Sequence, residues 1–378
     1  MERVKKSIIK LISDPVLIAA WVLAVISAFF IHPGKEYLSY IDWRSLGILW
    51  GLMVIIQGFK ENSVFEKIAE IMLKKVGKVW QLSAVLVAMC FVGSMLITND
   101  VALITFVPFA IMILHSCNRD ELMIPVVVLQ TIAANLGSML TPVGNPQNLY
   151  MYGLTGMGIG EFVLMFLPYS IVSLLMLAVC VAIIPDRAKE ISVNNETLLV
   201  NKFGSKVQII IYSVLFVIAL LCVLRIIPWH IMAIIVFIVI AGMDYKILLR
   251  ADYILLLTFI GFFIFTGNMG NIPAVSNMLE QVVNGKEFFV SIIASQFISN
   301  VPATLMLSGF TTNYKELMAG VNVGGLGTLI ASMASLISYK AYSSAHKENS
   351  GKYLKVFTIY NIIFLIVLVA LHAVLALG

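Results

Sequence analysis

Long apolar segments recur along the whole chain and are separated by short polar stretches. A helix needs about 20 apolar residues to cross the hydrocarbon core of a bilayer, so most of these segments are long enough to span a membrane. The pattern predicts an all-α polytopic membrane protein with nine full spans. They cover residues 15–31, 42–58, 123–151, 160–184, 206–226, 229–243, 252–270, 316–340 and 355–377.

Two further apolar segments, 81–115 and 288–312, each contain a short polar break. Polar backbone at membrane depth is costly unless it lines a cavity or is buried in protein. A matched pair of interruptions in two halves of a chain indicates the binding site of a transporter. The breaks are Ile97-Thr98-Asn99-Asp100 and Ile298-Ser299-Asn300-Val301.

The second break segment is too short to cross the membrane twice. From Phe288 to Ile298 is 11 residues, or roughly 16 Å of helix, against a core of about 30 Å. The return limb to Thr312 is about as short, so the segment is predicted to be a re-entrant hairpin. The limbs of 81–115 are longer, and two full spans would also fit there.

An internal repeat favours re-entrance for the first segment too. Thr98-Asn99 aligns with Ser299-Asn300, and Asn135-Leu-Gly aligns with Asn322-Val-Gly. The two hairpins enter from opposite sides, so the repeats are predicted to be inverted. The predicted organisation is a first repeat over 1–185, a cytoplasmic connector and linking span over 186–228, and a second repeat over 229–378.

Charge placement predicts the orientation in the membrane. With the N-terminus inside, five of the 25 Lys and Arg fall outside, which leaves 20 on the cytoplasmic side. This bias agrees with the positive-inside rule. It predicts a multi-pass protein of the cell membrane with a cytoplasmic N-terminus, an uncleaved first span and an external C-terminus. The five external residues are Lys35, Arg44, Arg225, Lys286 and Lys315.

Composition excludes several classes of protein. With 60% hydrophobic and 12% charged residues, the chain does not match a soluble domain. It contains no HExxH, GxSxG or phosphate-binding glycine loop, and its four cysteines and five histidines lack metal-ligand spacing. We therefore expect neither an enzyme nor a cofactor, and no nucleic-acid partner.

Segments 62–78 and 272–284 are predicted to be helices in the plane of the interface.

Asp100 is the only charged residue between Lys78 and Arg119. An ionisable residue within the membrane is a functional hypothesis by default, although capping of the following helix is the simpler alternative. Thr98 and Asn99 add neutral oxygens of the kind that sodium prefers. The three residues are predicted to bind the coupling ion, either a proton or sodium.

The second break has no carboxylate. Ser299 and Asn300 precede Pro302, an arrangement typical of a helix start, so capping alone can explain them. The alternative is that each helix start points into the protein and favours an ion there. On that interpretation Ser299 and Asn300 form a second candidate sodium site.

The spans that follow the hairpins carry helix-breaking residues. Gly137, Pro142, Gly144 and Pro146 should unwind the first span, and Gly324, Gly325 and Gly327 the second, next to amide and hydroxyl side chains. Close helix packing through small residues is the alternative. The candidate site residues outside the tips are Asn135, Gly137, Thr141, Gly144, Asn145, Gln147, Asn148, Asn322, Gly324, Gly327 and Thr328.

These motifs resemble the ion transporter superfamily, which includes divalent anion/sodium symporters, citrate transporters, arsenite permeases, silicon efflux transporters and sodium/proton antiporters. The segment Asn135 to Asn148, NLGSMLTPVGNPQN, looks most like the arsenite and silicon efflux branch. Thr98-Asn99-Asp100 is similar to the Ala-Asn-Asp of arsenite permeases and departs from the Ser-Asn-Thr of dicarboxylate symporters. The resemblance implies a homodimer and elevator-like movement of an inner domain that carries the hairpins.

The expected function is secondary active transport of a small inorganic anion or weak acid, coupled to protons or sodium. No Lys or Arg lies in the interior of any predicted span or hairpin, away from its ends, which favours a monovalent anion or neutral weak acid. The alternatives are a sodium/proton antiporter, a sodium-coupled carboxylate symporter and, less favoured, a passive channel.

Overall fold

The computed structural model describes residues 14–74, 76–191 and 203–377. The described part is helical, as the apolar pattern predicts. Its first half contains α1 (Pro15–Ala28), α2 (Tyr37–Tyr40), α3 (Trp43–Glu61), α4 (Val64–Leu73), α5 (Val79–Ile97), α6 (Asn99–Ser116), α7 (Met123–Ser138), α8 (Pro146–Thr155) and α9 (Ile159–Ala182).

The second half repeats this order of long, short and interrupted helices. A linking helix, α10 (Lys206–Val223), precedes it. The elements are α11 (Trp229–Leu248), α12 (Tyr253–Gly270), α13 (Pro273–Val283), α14 (Glu287–Ile298), α15 (Asn300–Leu307), α16 (Tyr314–Val323), α17 (Met333–Ala345) and α18 (Ser350–Leu377). Asp244 has non-helical backbone angles inside α11, so the continuous part of that helix ends where the predicted span 229–243 ends.

Eight helices of the described residues are long and apolar enough to cross a membrane, which confirms a polytopic membrane protein. These eight include both limbs of the first hairpin, α5 and α6, and leave out the predicted spans 15–31, 42–58 and 316–340, so the count of nine full spans stays a prediction. The two predicted interruptions are also present. The span predicted over 123–151 divides into α7 and α8, and the span predicted over 316–340 divides into α16 and α17.

The two hairpins differ in length, as expected from the sequence. The limbs α14 and α15 have 12 and 8 residues, too few to cross about 30 Å. The limbs α5 and α6 have 19 and 18 residues, and each could cross by length alone.

The first helix of each half packs against the other half. Helix α1 packs on α12, and α11 packs on α3. Near the end of the first contact, Asn268 Nδ2 donates to Ser27 Oγ at 2.9 Å and to Tyr37 OH at 2.8 Å. The starts of α3 and α12 are also built alike, because Asp42 and Asp252 cap them with nearly equal backbone angles. The inverted relation of the complete repeats stays a prediction.

Contacts group the loops as the charge pattern predicts. On one face, Arg250 forms an ion pair with Glu61, and Ile191 N donates to Gly77 O at 2.9 Å. On the other face, Lys315 pairs with Glu161 at 2.7 Å. Each contact joins loops that were predicted to lie on the same side of the membrane. Which face is cytoplasmic stays a prediction.

The predicted interfacial helices are present as α4 and α13. In α4, Phe65 and Leu73 are buried, whereas Ile68 and Met72 are exposed. The exposed apolar residues are suited to a lipid interface.

Candidate functional site at the helix breaks

The two hairpin tips have the same backbone geometry. Thr98 has φ 71° and ψ 150°, and Ser299 has φ 73° and ψ 153°. A positive φ is unfavourable for residues other than glycine, so the surroundings must hold both turns in place. Neither side chain caps the helix that follows, so capping does not explain Thr98 or Ser299, whereas Asn99 Oδ1 does accept from Asp100 N at 2.9 Å.

Each tip is bonded to the break in the neighbouring span. Asn99 N donates to Gly144 O at 3.0 Å, and Asn300 N donates to Ala331 O at 3.0 Å. The next residues, Asn145 and Ser332, begin α8 and α17 from extended backbone. Both hairpins therefore end against an unwound segment that lies part-way along a spanning pair of helices.

Asn135 connects the first tip to the second half. Its Oδ1 accepts hydrogen bonds from Asn99 Nδ2 at 3.2 Å and Ser332 Oγ at 3.0 Å. Its Nδ2 donates to Gly325 O and Ser335 Oγ, both at 3.4 Å. One buried amide thus contacts the first hairpin and the break of the second half.

Asn322, which aligns with Asn135, makes the reciprocal connection. Its Nδ2 donates to Asn148 Oδ1 at 2.7 Å, and its Oδ1 accepts from Asn145 Nδ2 at 3.2 Å. All three amides are buried. A buried amide that loses its partner costs free energy, so these mutual bonds stabilise the contact between the halves.

Gln296, on α14, organises the second break. Its Nε2 donates to Gly324 O and Leu326 O, both at 3.0 Å, and its Oε1 accepts from Thr328 N at 2.8 Å. Gly327 has φ 105°, and a Cβ there would lie 2.2 Å from Gln296 Oε1. Thr328 is exposed, and its Oγ1 donates to Gln296 O at 3.0 Å. Thr328 is therefore connected to the site through the loop that Gln296 holds.

The predicted unwinding is wrong for Gly137, which lies inside α7. A Cβ at Gly137 would approach Phe91 O to 2.1 Å, so this glycine permits close packing of α7 on α5. Gly144 does lie in the break, and there a Cβ would approach Ser138 O to 2.1 Å. Gly324 follows the end of α16, close to α14.

Two other predicted residues differ in their surroundings. Thr141 Oγ1 donates to Met95 O at 2.5 Å, which fastens the break to α5. Gln147 is buried, and its Oε1 has no hydrogen-bond partner among the described residues. A buried neutral oxygen without a donor calls for a ligand or water, and it is the type of oxygen that binds sodium.

Asp100 lies beside a cavity of about 580 Å³. The carboxylate is in the first turn of α6 without being its cap, and it receives no hydrogen bond from the described residues. Thr98 and Pro146 also line the cavity. The remaining wall comes from Val101 and Ile104 of α6, from α3 and from the α11–α12 junction.

This wall brings cations to the site that the sequence pattern missed. Lys60 and Gln57 lie at the end of α3, and Arg250, Asp252 and Tyr253 at the α11–α12 junction. The sequence shows correctly that no predicted span contains a cation in its interior. Folding nevertheless places two span-end cations in one cavity with Asp100.

The structure therefore brings the asparagines of both tips and both breaks into one region. Ser299 and Asn300 are buried there, with Ser299 Oγ 3.5 Å from Asn300 Oδ1. Sequence reasoning missed several members of this network. They are Ser138, which bonds Asn145, and Gln296 and Ser335. The aligned repeats offered one signal, because the residues that precede α8 and α17 occupy equivalent positions.

The chain is similar to one family of membrane transporters and to several individual proteins. The CitMHS profile, described as citrate transporter, matches residues 8–334. An uncharacterized transporter of Methanocaldococcus jannaschii is 32% identical over 314 residues, covering 81% of this chain and 82% of the relative. The inner membrane protein YbiR of Escherichia coli is 29% identical over 331 residues, covering 83% and 84%. A candidate transporter of Dictyostelium discoideum, arsB, is 28% identical over 137 residues, covering 35% and 23%.

Proposed function

The chain belongs to the citrate transporter family of membrane transporters, and from this premise we propose that it carries a small inorganic anion or weak acid by secondary active transport. The coupling ion is a proton or sodium. The observation that carries the proposal is the buried amide network that joins the first hairpin tip to both helix breaks, with the backbone of the second tip bonded to the second break at Ala331. Broken helices of this kind supply free backbone groups for ions and substrate.

The coupling ion is assigned to the first tip and its neighbouring break. Asp100 supplies the only carboxylate at either tip, and it lines an accessible cavity. Thr98 and Asn99 directly precede Asp100, and Gln147, whose Oε1 has no hydrogen-bond partner among the described residues, directly follows Pro146 of the cavity wall. Ser299 and Asn300 form the corresponding part of the second tip, without a carboxylate.

Alternating access is proposed to occur by an elevator movement. The hairpins and broken helices, α5–α8 and α14–α17, are joined by the amide network and form the proposed transport domain. Helices α1, α3 and α10–α12 form the proposed scaffold, which meets the transport domain across the cavity beside Asp100. The family resemblance further suggests a homodimer in the cell membrane.

Purified protein in sealed proteoliposomes tests the function. Uptake of labelled arsenite, phosphate, sulfate, acetate and citrate is measured with an imposed sodium gradient, with an imposed pH gradient and with neither. We expect one solute to accumulate against its gradient only when an ion gradient is present. Equilibration of a solute to equal concentrations under all three conditions would instead identify a passive channel.

Carboxylate transport is the second candidate, favoured by two observations. The matching family is described as citrate transporter, and Lys60 and Arg250, the latter paired with Glu61, are cations in a cavity wall that also contains Asp100 and Asp252. Citrate accumulation in the same assay, with no response to inorganic anions, would select this candidate. Sodium/proton exchange in vesicles without any added solute would select the antiporter, with Asp100 as the exchange site.

A further inference from the structure

Each end of α3 carries a cation, one beside an open cavity and the other with buried terminal nitrogens. Lys60, in its last turn, lines the open cavity together with Arg250. Arg44, in its first turn, lies about 24 Å away along the helix axis. Both terminal guanidinium nitrogens of Arg44 are buried, and neither has a hydrogen-bond partner among the described residues.

An unpartnered, buried guanidinium is unusual. Five N–H donors make arginine suited to binding carboxylates and oxyanions, and a buried charge without partners is unfavourable. Asp42, two residues earlier, forms no ion pair with Arg44 among the described contacts, because its carboxylate caps α3 and accepts from Ser45, although Asp42 Oδ2 lies 3.8 Å from the same Gly153 Cβ position. Arg44 therefore has a free binding capacity that the described contacts do not use.

The C-terminal turn of α8 covers this guanidinium. A Cβ on Gly153 would lie 2.8 Å from Arg44 Nη1 and 3.2 Å from Ser45 Oγ, so the turn lies in close contact with the guanidinium. Arg225, which follows α10, holds the same turn. It donates from Nη1 to Gly156 O at 2.6 Å and from Nη2 to Tyr152 O at 2.7 Å.

The cover and the covered residue lie on different proposed domains. Gly153 belongs to α8 of the transport domain, whereas Arg44 and Arg225 belong to the scaffold. On the other face, the scaffold cations Lys60 and Arg250 already line a cavity beside the transport domain. Movement of α8 away from α3 would uncover Arg44. The residue would then face a space equivalent to the cavity beside Lys60 and Arg250.

From this arrangement we propose that Arg44 is an anion-binding residue of a second vestibule, which the α8 turn closes in the present conformation. The vestibule lies on the face opposite Lys60, and its ligand class is a carboxylate or oxyanion. The inference rests on the proposed alternating access. It adds that both vestibules, and not only the open one, present scaffold cations to the anion.

Cysteine labelling tests this without a transported solute. The four native cysteines, Cys90, Cys117, Cys180 and Cys222, are replaced by serine, and Gly153→Cys is introduced. Sealed proteoliposomes of known orientation are treated with membrane-impermeant methanethiosulfonates that carry either a sulfonate or a quaternary ammonium. The modification rate of each reagent is measured from each face.

We expect Gly153→Cys to react from the face opposite Lys60 and to favour the sulfonate reagent. Adding Arg44→Gln should lower that preference about tenfold, since local charge steers ionic reagents. Gln57→Cys, beside Lys60, is the matched control. It should react from the other face only, with a charge preference unchanged by Arg44→Gln.

Two results would overturn the proposal. Protection of position 153 from that face under every ion gradient would show that the turn does not open. An unchanged reagent preference in Arg44→Gln would show that Arg44 does not face the opened space. Thr155→Cys, on the same turn, replaces Gly153→Cys if that variant does not fold. Because the reagents are not substrates, a negative uptake panel leaves this measurement interpretable.

Discussion

Asn322 donates from Nδ2 to Asn148 Oδ1 at 2.7 Å, across 174 positions of sequence. The two residues lie on α16 and α8, which belong to different halves of the chain. Asn145 Nδ2 donates to Oδ1 of the same Asn322 amide at 3.2 Å. A single side chain therefore fixes the position of one helix break relative to the other.

Asn322→Ala should destabilise the protein, because it leaves Asn145 and Asn148 without this buried partner. We expect the free energy of unfolding to fall by about 1–3 kcal/mol, seen as a lower melting temperature in detergent. Asn349→Ala, at an exposed position, is the control. Equal melting temperatures for the two variants would show that the network adds no stability.

Gly137→Ala should disrupt the packing of α7 on α5. The new Cβ would lie 2.1 Å from Phe91 O, a backbone atom that cannot rotate away. We expect a loss of folded protein, measured by size-exclusion chromatography and thermal unfolding. Gly160→Ala is the matched control, since no atom lies within 4 Å of its Cβ position. A Gly137→Ala protein as stable as Gly160→Ala would contradict the close contact.

Asp100→Asn should abolish uphill transport and remove its dependence on pH. The amide retains the size of the side chain but neither binds a transported proton nor offers sodium a charge. Uptake is measured from pH 5 to pH 9, with and without a sodium gradient. Asp186→Asn, at an exposed ion pair with Lys189, should keep the original profile. Full coupled transport with unchanged pH and sodium dependence in Asp100→Asn would remove this carboxylate from the mechanism.

Gln296→Ala should loosen the second break without unfolding the chain. The variant loses the bonds to Gly324, Leu326 and Thr328 that hold this loop. We expect faster hydrogen exchange of amides 324–328 by mass spectrometry, while exchange in 139–145 changes less. Gln281→Ala, exposed on α13, provides the comparison. Equal exchange of 324–328 in both variants would show that other contacts hold the loop.

The membrane spans and both interruptions could be predicted because they depend on local composition. An apolar run of sufficient length requires a helix in lipid, and clustered Gly and Pro weaken that helix. The same local signal gave a wrong prediction at Gly137, which stays helical and instead permits close packing of α7 on α5. A glycine's role depends on the atoms opposite it, and these come from distant sequence.

Sequence by itself determined the all-helical membrane architecture, the two polar tips and the isolated carboxylate of Asp100. Only the tertiary structure decided their partners, because the hydrogen bonds of each asparagine amide depend on the groups that the other half of the chain places beside it. It joined Asn135 to Ser332, put Lys60 and Arg250 in the cavity with Asp100, and buried Arg44 beneath Gly153. Such contacts have no periodicity along the chain, and they arise when two halves with similar patterns pack against each other.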